Sequence, residues 1–322
     1  MNTTLKLYRG YANEQELIVM GHVFRPTKKK DYTFQKKKFR NAFSIISLYK
    51  LKTESNVDVY LEHNNTTIHT KTLNDGYFKF CIPLDQNIGF GWIDYEVYYF
   101  QKNKKIISKD KFIRPKKGNL GIISDIDDTL LESYTLNPLK KIYSILFKNV
   151  NTRKIFEDVV PHYQALSVSG RENSEELNAF FYVSSSEWNL YNFIIKFHEI
   201  HKLPKAVLLL KDIKTSLFDF FGKSRNAHNH KFEKIKHILE FYPNLKYVLI
   251  GDDSQDDPYL YETISKIFPV TVKAVYIRKT GKHEKEKVAQ IMKNLESLNI
   301  AVCYFSHSRE AIAHSKKIGL IL

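Results

Sequence analysis

Cysteine is almost missing from this 322-residue chain; Cys81 and Cys303 are its only two. Two isolated thiols build neither a disulfide framework nor a cysteine-based zinc site, and such usage fits a reducing compartment. Long apolar runs are missing as well. No stretch approaches the ~18 uninterrupted apolar residues that a spanning helix needs. The start, MNTTLKLYRGYANEQEL, lacks the apolar core of a signal peptide. The expectation is a cytoplasmic protein with no transmembrane segment, able to touch a membrane surface. Negative charge is in deficit, since 35 Asp+Glu face 50 Lys+Arg for a net charge of +15. The imbalance is uneven. Residues 1–120 hold 22 basic residues against 11 acidic, and the remainder 28 against 24. A field of this sign favours an acidic partner: a phosphorylated substrate, an anionic membrane or nucleic acid.

What is present divides into two textures. From Leu17 to Ile113, short runs rich in Val, Ile, Tyr and Phe alternate with polar residues: ELIVMGHVF, AFSIISLYKL, VDVYLEH, TTIHTKTL, GYFKFCI and WIDYEVYYF. Turn residues such as Asn74-Asp75-Gly76 separate them. The spacing predicts an antiparallel β-sandwich of roughly seven strands over residues 1–117. Its NDGYFKFCI segment resembles the hairpin of transthyretin-like and immunoglobulin-like accessory modules. The stretch RPTKKKDYTFQKKKFR (25–40) interleaves basic and aromatic residues, a composition suited to an anionic lipid surface or, less favoured, nucleic acid.

After the linker FIRPKKGN the pattern changes. Apolar runs at 121–124, 180–184, 206–210, 246–251, 272–278 and 301–305 are nearly continuous, as strands buried on both faces of a parallel sheet are. Helical spacing falls between them, at 188–201, 230–242 and 283–298. Residues 118–322 therefore read as a doubly wound α/β domain. The stretch of about 131–179 does not read as sheet; NPLKKIYSILFKN within it has helical spacing, and it is expected to be an inserted cap.

The first strand of this domain ends in SDIDDTL. Sites in open α/β sheets form at the carboxyl ends of strands, so Asp125 falls where chemistry is expected. Asp127, two residues on, shares its side if the strand conformation persists. Two carboxylates in one small volume need a cation, a shared proton, or both. Three further features follow at strand ends. Ser184, Ser185 and Ser186 follow FFYV, Lys231 opens a helix, and GDDSQDDP follows KYVLI. A serine hydroxyl binds a phosphoryl oxygen, a lysine neutralises developing charge, and a second acidic loop completes an all-oxygen magnesium site.

This ordered set resembles the haloacid dehalogenase (HAD) phosphatase superfamily. The longer segments NVNTRKIFEDVVPHYQAL, FYVSSSEWNLYNF and HKFEKIKHILEFYPNLKYVLIGDDSQDDPYLY are similar to the catalytic-domain family of actin-patch-associated phosphatidate phosphatases, distantly lipin-like. The resemblance implies a Mg2+-dependent phosphatase acting on a phosphorylated lipid. Under it Asp125 is the nucleophile and Asp127 the proton shuttle, while Thr129 supports the loop. Ser184 binds phosphate, with Ser185 and Ser186 beside it, and Lys231 holds Asp125 and phosphate together. The implied magnesium ligands are Asp125, the backbone carbonyl of Asp127, and Asp252, assisted by Asp253, Asp256 or Asp257. The family pattern favours Asp257, which precedes Pro258. An aspartate at 127, where related ion pumps carry threonine, points to a hydrolase or mutase.

Overall fold

The computed structural model describes residues 4–26, 52–63, 66–84, 88–116, 120–126, 156–171, 177–211, 227–281 and 283–322. Two sheets organise them. The first contains β1 (Leu5–Ala12), β2 (Glu16–Val23), β3 (Asp58–His63), β4 (Thr66–Lys71), β5 (Tyr77–Pro83), β6 (Gly91–Gln101) and β7 (Lys104–Arg114). Their order is β4-β3-β6-β7-β1-β2-β5. Leu7, Val19, Leu61, Phe80, Val97 and Phe112, from six of these strands, share one apolar cluster, so the sheet has a core of its own.

The arrangement differs from the expected sandwich in two respects. Hydrogen bonds join all seven strands in a single order, and β1 pairs with β7 in parallel through Gly10–Phe112 and Tyr11–Ile113. The strands β1 and β7 also escape the sequence pattern. In KKIISKDKFIR the first half is exposed and lysine-rich, so its alternation is muted by solvent contact. The expected strand at 42–51 and residues 27–40 of the basic stretch lie outside the described residues.

The second sheet contains β8 (Leu120–Ser124), β9 (Ala179–Glu187), β10 (Val207–Lys211), β11 (Lys246–Asp252), β12 (Val272–Arg278) and β13 (Ala301–Phe305). All neighbours are parallel, in the order β10-β9-β8-β11-β12-β13. Continuous apolar runs form these strands because helices cover the sheet. The helices are α1 (Val159–Val168), α2 (Tyr191–Ile200), α3 (Ala227–Phe241), α4 (Asp257–Ile267), α5 (Glu286–Ser297) and α6 (Ser308–Lys317). The chain runs from β8 outward to β10, then returns to β11 on the other side of β8. That reversal opens a crevice at the carboxyl ends of β8 and β11.

One described helix falls within the residues expected to form the cap. Residues 131–155 are outside the described set. The helix α1, within the predicted insertion, buries Val159, Tyr163 and Leu166 in the main core. Its apolar side is used against the sheet rather than held away from it.

The two sheets meet through β1. Leu5 and Leu7 face the first core, while Tyr8 and Tyr11 join the second. Tyr8 stacks on Trp188 with ring centroids 4.0 Å apart. Tyr11 Oη and His237 Nε2 are 3.0 Å apart, and Tyr242 Oη donates to the Ala12 carbonyl at 3.0 Å. Aromatic rings supply area here and hydroxyls satisfy the buried backbone, which fixes β1 to both units.

Buried histidines set a pH limit on this core. His198, in α2, is 2% exposed, and burial first, with Arg9 and His201 adding, pushes its pKa down to about 3. The unfolded chain takes up a proton near its ordinary pKa of ~6.5, and the folded chain does not. Stability is therefore retained above ~6.5 and lost as pH falls from there towards 3. At pH 5 this amounts to about 2 kcal/mol for one such histidine. His22 and His162, pushed down to about 3 and about 4 by burial, carry the same sign. His198→Leu is expected to recover about 2 kcal/mol at pH 5 relative to its effect at pH 7.5. Urea unfolding at the two pH values measures this; an equal effect at both would remove the explanation.

Candidate active site

Five elements supply the candidate residues, all at the carboxyl end of the parallel sheet. Asp125 follows β8 directly. Its N–H donates to the Ile250 carbonyl at 2.9 Å, which carries the β8–β11 ladder one residue past the strand. The Ser124 hydroxyl donates to the Asp125 carbonyl at 2.7 Å and lies 2.8 Å from Tyr163 Oη. The backbone at the candidate nucleophile is thus held from both sides before its side chain is considered.

Lys231 projects from the first turns of α3 into this crevice. Its Nζ lies 3.0 Å from Asp125 Oδ1 and 2.7 Å from Asp257 Oδ1, with all three side chains almost fully buried. Burial alone would depress the ammonium; Asp125 and Asp257 more than reverse this and hold its pKa above the ordinary lysine value. Asp252 closes the group from the end of β11. One ligand oxygen each from Asp125, Asp252 and Asp257 lies within 4.8 Å of the others. Burial first, then Asp257, pushes Asp252 up to about 7 against a hydrogen bond from the Ser254 N–H.

The charges define what the group can bind. Three carboxylates against one ammonium leave a buried negative excess, which is costly unless compensated. Asp257 Oδ2 is buried with no hydrogen-bond partner among the described residues. An all-oxygen donor set of this kind suits a hard divalent cation. The residues present therefore fit a metal.

The acidic loop separates into roles that its sequence left open. Asp257 is in the group, at the start of α4 and just before Pro258. Asp256 is exposed at the helix N-cap position. Asp253 is not brought to this group. Successive strand residues face opposite ways. Asp253 accordingly turns from Asp252 to accept from the Thr280 N–H at 2.9 Å and from Tyr304 Oη at 2.6 Å.

Ser184 lies on β9, two residues beyond Tyr182, which pairs with Ser124 in register. It is buried, and its hydroxyl oxygen accepts from the Ser186 N–H at 3.0 Å. Ser185 and Ser186 are half-buried beside it. Asp127 and Thr129 lie outside the described residues. Sequence reasoning overlooked Tyr163 and Arg278. The Arg278 guanidinium sits 4.1 Å from the Phe156 ring centroid and 4.8 Å from that of Phe305, and donates to Ser308 Oγ at 2.8 Å. A buried arginine ending an apolar strand (VKAVYIR) was the available signal. A cavity of about 180 Å³, lined by Asn13, Gln15, Pro115, Phe241 and Pro243, lies at the opposite, amino end of the sheet and takes no part in this group.

Close approach at the site requires Gly251. A Cβ there would meet Asp257 Oδ2 at 2.7 Å and Tyr261 Cε2 at 2.9 Å. Gly251→Ala is expected to displace Asp257, costing roughly 1–3 kcal/mol of stability by overpacking and weakening divalent-metal binding. Gly89→Ala, where an added Cβ meets nothing within 4 Å, is the control and should change neither. Thermal unfolding and Mn2+ titration read both quantities.

Comparison with known proteins places part of the chain beside one family. Residues 120–279 match the family model described as "Phosphatidate phosphatase APP1, catalytic domain". The "Phosphatidate phosphatase APP1" of Saccharomyces cerevisiae is 27% identical over 159 residues, covering 49% of this chain and 26% of that protein. An uncharacterized protein of Schizosaccharomyces pombe, C29B5.04c, is 24% identical over 262 residues, covering 74% of this chain and 38% of the relative. The chain thus spans well under half the length of these curated relatives. Among solved structures, a carbohydrate acetylesterase from Xanthomonas citri aligns over 94% of this chain and 68% of its own, with 9% identity and a TM-score of 0.32. That likeness is too low to carry an argument.

Among the described residues no helix is long and apolar enough to cross a membrane.

Proposed function

We propose that this chain is a magnesium-dependent phosphomonoester hydrolase of HAD-like architecture, working through an aspartyl-phosphate, with phosphatidate as substrate. Diacylglycerol and phosphate are the products. The observation that most supports this reading is Lys231 bridging Asp125 and Asp257 at the topological reversal of the sheet, with Asp252 completing the acidic group. The family of residues 120–279 supports the substrate class.

In this reading an Asp125 carboxylate oxygen attacks phosphorus in line. A new O–P bond forms as the bond from phosphorus to the glycerol oxygen breaks. Asp127 protonates the departing alkoxide, then deprotonates a water that attacks the aspartyl-phosphate and frees both phosphate and Asp125. Lys231 holds Asp125 against the phosphoryl group and offsets charge on its oxygens. The Ser184 hydroxyl donates to a phosphoryl oxygen, with Ser185 and Ser186 adjacent, and Thr129 supports the loop. The side chains of Asp125, Asp252 and Asp257 and the Asp127 carbonyl would hold Mg2+. When bound, that ion neutralises the carboxylates and the incoming phosphate. Asp253 stands outside this ligand set.

The division into an accessory β-sandwich domain (1–117) and a catalytic domain (118–322, with the insertion about 131–179) belongs to the same reading. So do a cytoplasmic location and peripheral contact between the basic N-terminal part and an anionic membrane, where each lysine or arginine contributes about 1 kcal/mol. Phosphate release from phosphatidate in mixed micelles, from soluble phosphomonoesters and from 3′-phosphorylated DNA tests the proposal. Mg2+-dependent turnover favouring phosphatidate is expected. Strict preference for a soluble compound or a DNA end would overturn the lipid assignment. Lipid binding without turnover of any substrate would overturn the enzyme.

A further inference from the structure

Asp253 is a buried carboxylate that the proposed chemistry does not use. Its side chain is fully buried although it neighbours Asp252. Four groups converge on it. The Thr280 N–H donates to Oδ1 at 2.9 Å, and the Thr280 hydroxyl donates to the same oxygen. Tyr304 Oη donates to Oδ2 at 2.6 Å, and Lys285 Nζ lies 3.4 Å from Oδ1. Lys285 also donates to the Asp253 carbonyl, while its own N–H donates to Tyr304 Oη at 3.2 Å. The Asp253 N–H donates to the Arg278 carbonyl at 3.0 Å. Both oxygens of the side chain and both polar groups of the backbone are therefore held.

The partners of the carboxylate share one property: Thr280, Lys285 and Tyr304 all lie beyond residue 279, where the match to the phosphatidate phosphatase catalytic domain stops. They come from the loop after β12 and from the edge strand β13. Asp252 and Asp253 are consecutive and face opposite ways, so a rotation that freed Asp253 would swing Asp252 with it. Groups that orient a metal ligand typically alter metal affinity 10–100-fold when removed.

We propose that Asp253 is a positioning residue, clamped by Thr280, Tyr304 and Lys285, which holds Asp252 and the following loop in metal-binding geometry. The functional unit of this chain thus extends past the matched family segment to include the edge strand. This inference rests on the site reading above and deepens it.

The test is Mn2+ binding to the whole 322-residue chain, followed by electron paramagnetic resonance of the free ion, with Mg2+ as competitor. Tyr304→Phe keeps the ring and removes one donor; Thr280→Val keeps the shape and removes the hydroxyl. Each is expected to weaken Mn2+ binding roughly tenfold. In the assay the Mg2+ concentration needed for half-maximal phosphate release should rise by the same factor, with the substrate KM at saturating Mg2+ unchanged. A merely structural role would lower the melting temperature and leave the metal requirement where it was. Tyr304→Phe is the conservative variant should Thr280→Val fold poorly. Metal affinity within twofold of the parent in folded Tyr304→Phe, while Asp252→Asn abolishes binding, would overturn the positioning role alone. Unchanged affinity in Asp252→Asn would overturn the site reading itself, and the positioning role with it.

Discussion

Asp125→Asn is expected to lower phosphate release from phosphatidate by about 10⁴-fold or more, the scale seen when a nucleophile that acts within a concerted group is removed. The substitution is isosteric, so the effect is chemical. An amide oxygen is a poor nucleophile and carries no charge to attract Lys231. The fold should survive. One buried carboxylate leaves a site where three crowd one ammonium, and Lys231 keeps its 2.7 Å contact with Asp257. The melting temperature in metal-free buffer should therefore hold or rise. Activity within tenfold of the parent, with the variant folded, would remove Asp125 from the mechanism.

Lys231→Met carries the largest expected effect on stability. Methionine fills a similar volume without charge, leaving Asp125 and Asp257 buried with no counter-charge from α3. Breaking a buried pair by removing one partner costs about 3–5 kcal/mol. The sign of its pH dependence follows from linkage. With the lysine gone, the Asp252 carboxyl, already pushed up to about 7 by burial and Asp257, loses a charge that lowers it and rises further above its unfolded value. The folded state then binds more protons, and the penalty shrinks as pH falls from 8 towards 5. Mg2+ should restore part of the loss at pH 8, and so should Asp257→Asn in the same chain. Chemical denaturation of the parent, the single variant and the double variant measures each term. A penalty below about 1 kcal/mol at pH 8 without metal, as for an exposed ion pair, would contradict the burial of this group.

The parallel sheet was legible in the sequence because its strands are apolar on both faces. Each of the six predicted runs became a strand, with ends shifted by a few residues: 180–184 lengthened to Ala179–Glu187, and 272–278 was unchanged. Three helices were readable from their spacing, whereas α1, α4 and α6 were not. The helix α4 begins inside the acidic DDP segment, where charge hides the apolar face formed by Leu260, Tyr261 and Ile264. In the first sheet, β7 was obscured by its exposed lysines. β1 is buried on both sides by two different cores, which periodicity within one strand cannot reveal.

The candidate site divides in the same way. The sequence by itself determined which chemistry was available. Asp125, Ser184, Lys231 and Asp252 stand at ordered strand ends and helix starts, and local spacing is enough to see that. Only the tertiary structure decided which groups meet. Asp253, Asp256 and Asp257 are equivalent as letters in DDSQDD. The strand pleat turns Asp253 towards Thr280 and Tyr304, the N-cap position leaves Asp256 in solvent, and the first turn of α4 sets Asp257 against Lys231. The physical reason is range. Side-chain type and period are local properties of the chain, while the pairing of a carboxylate with a lysine 26 positions away, or with a tyrosine 51 positions away, exists only after the helices have packed on the sheet.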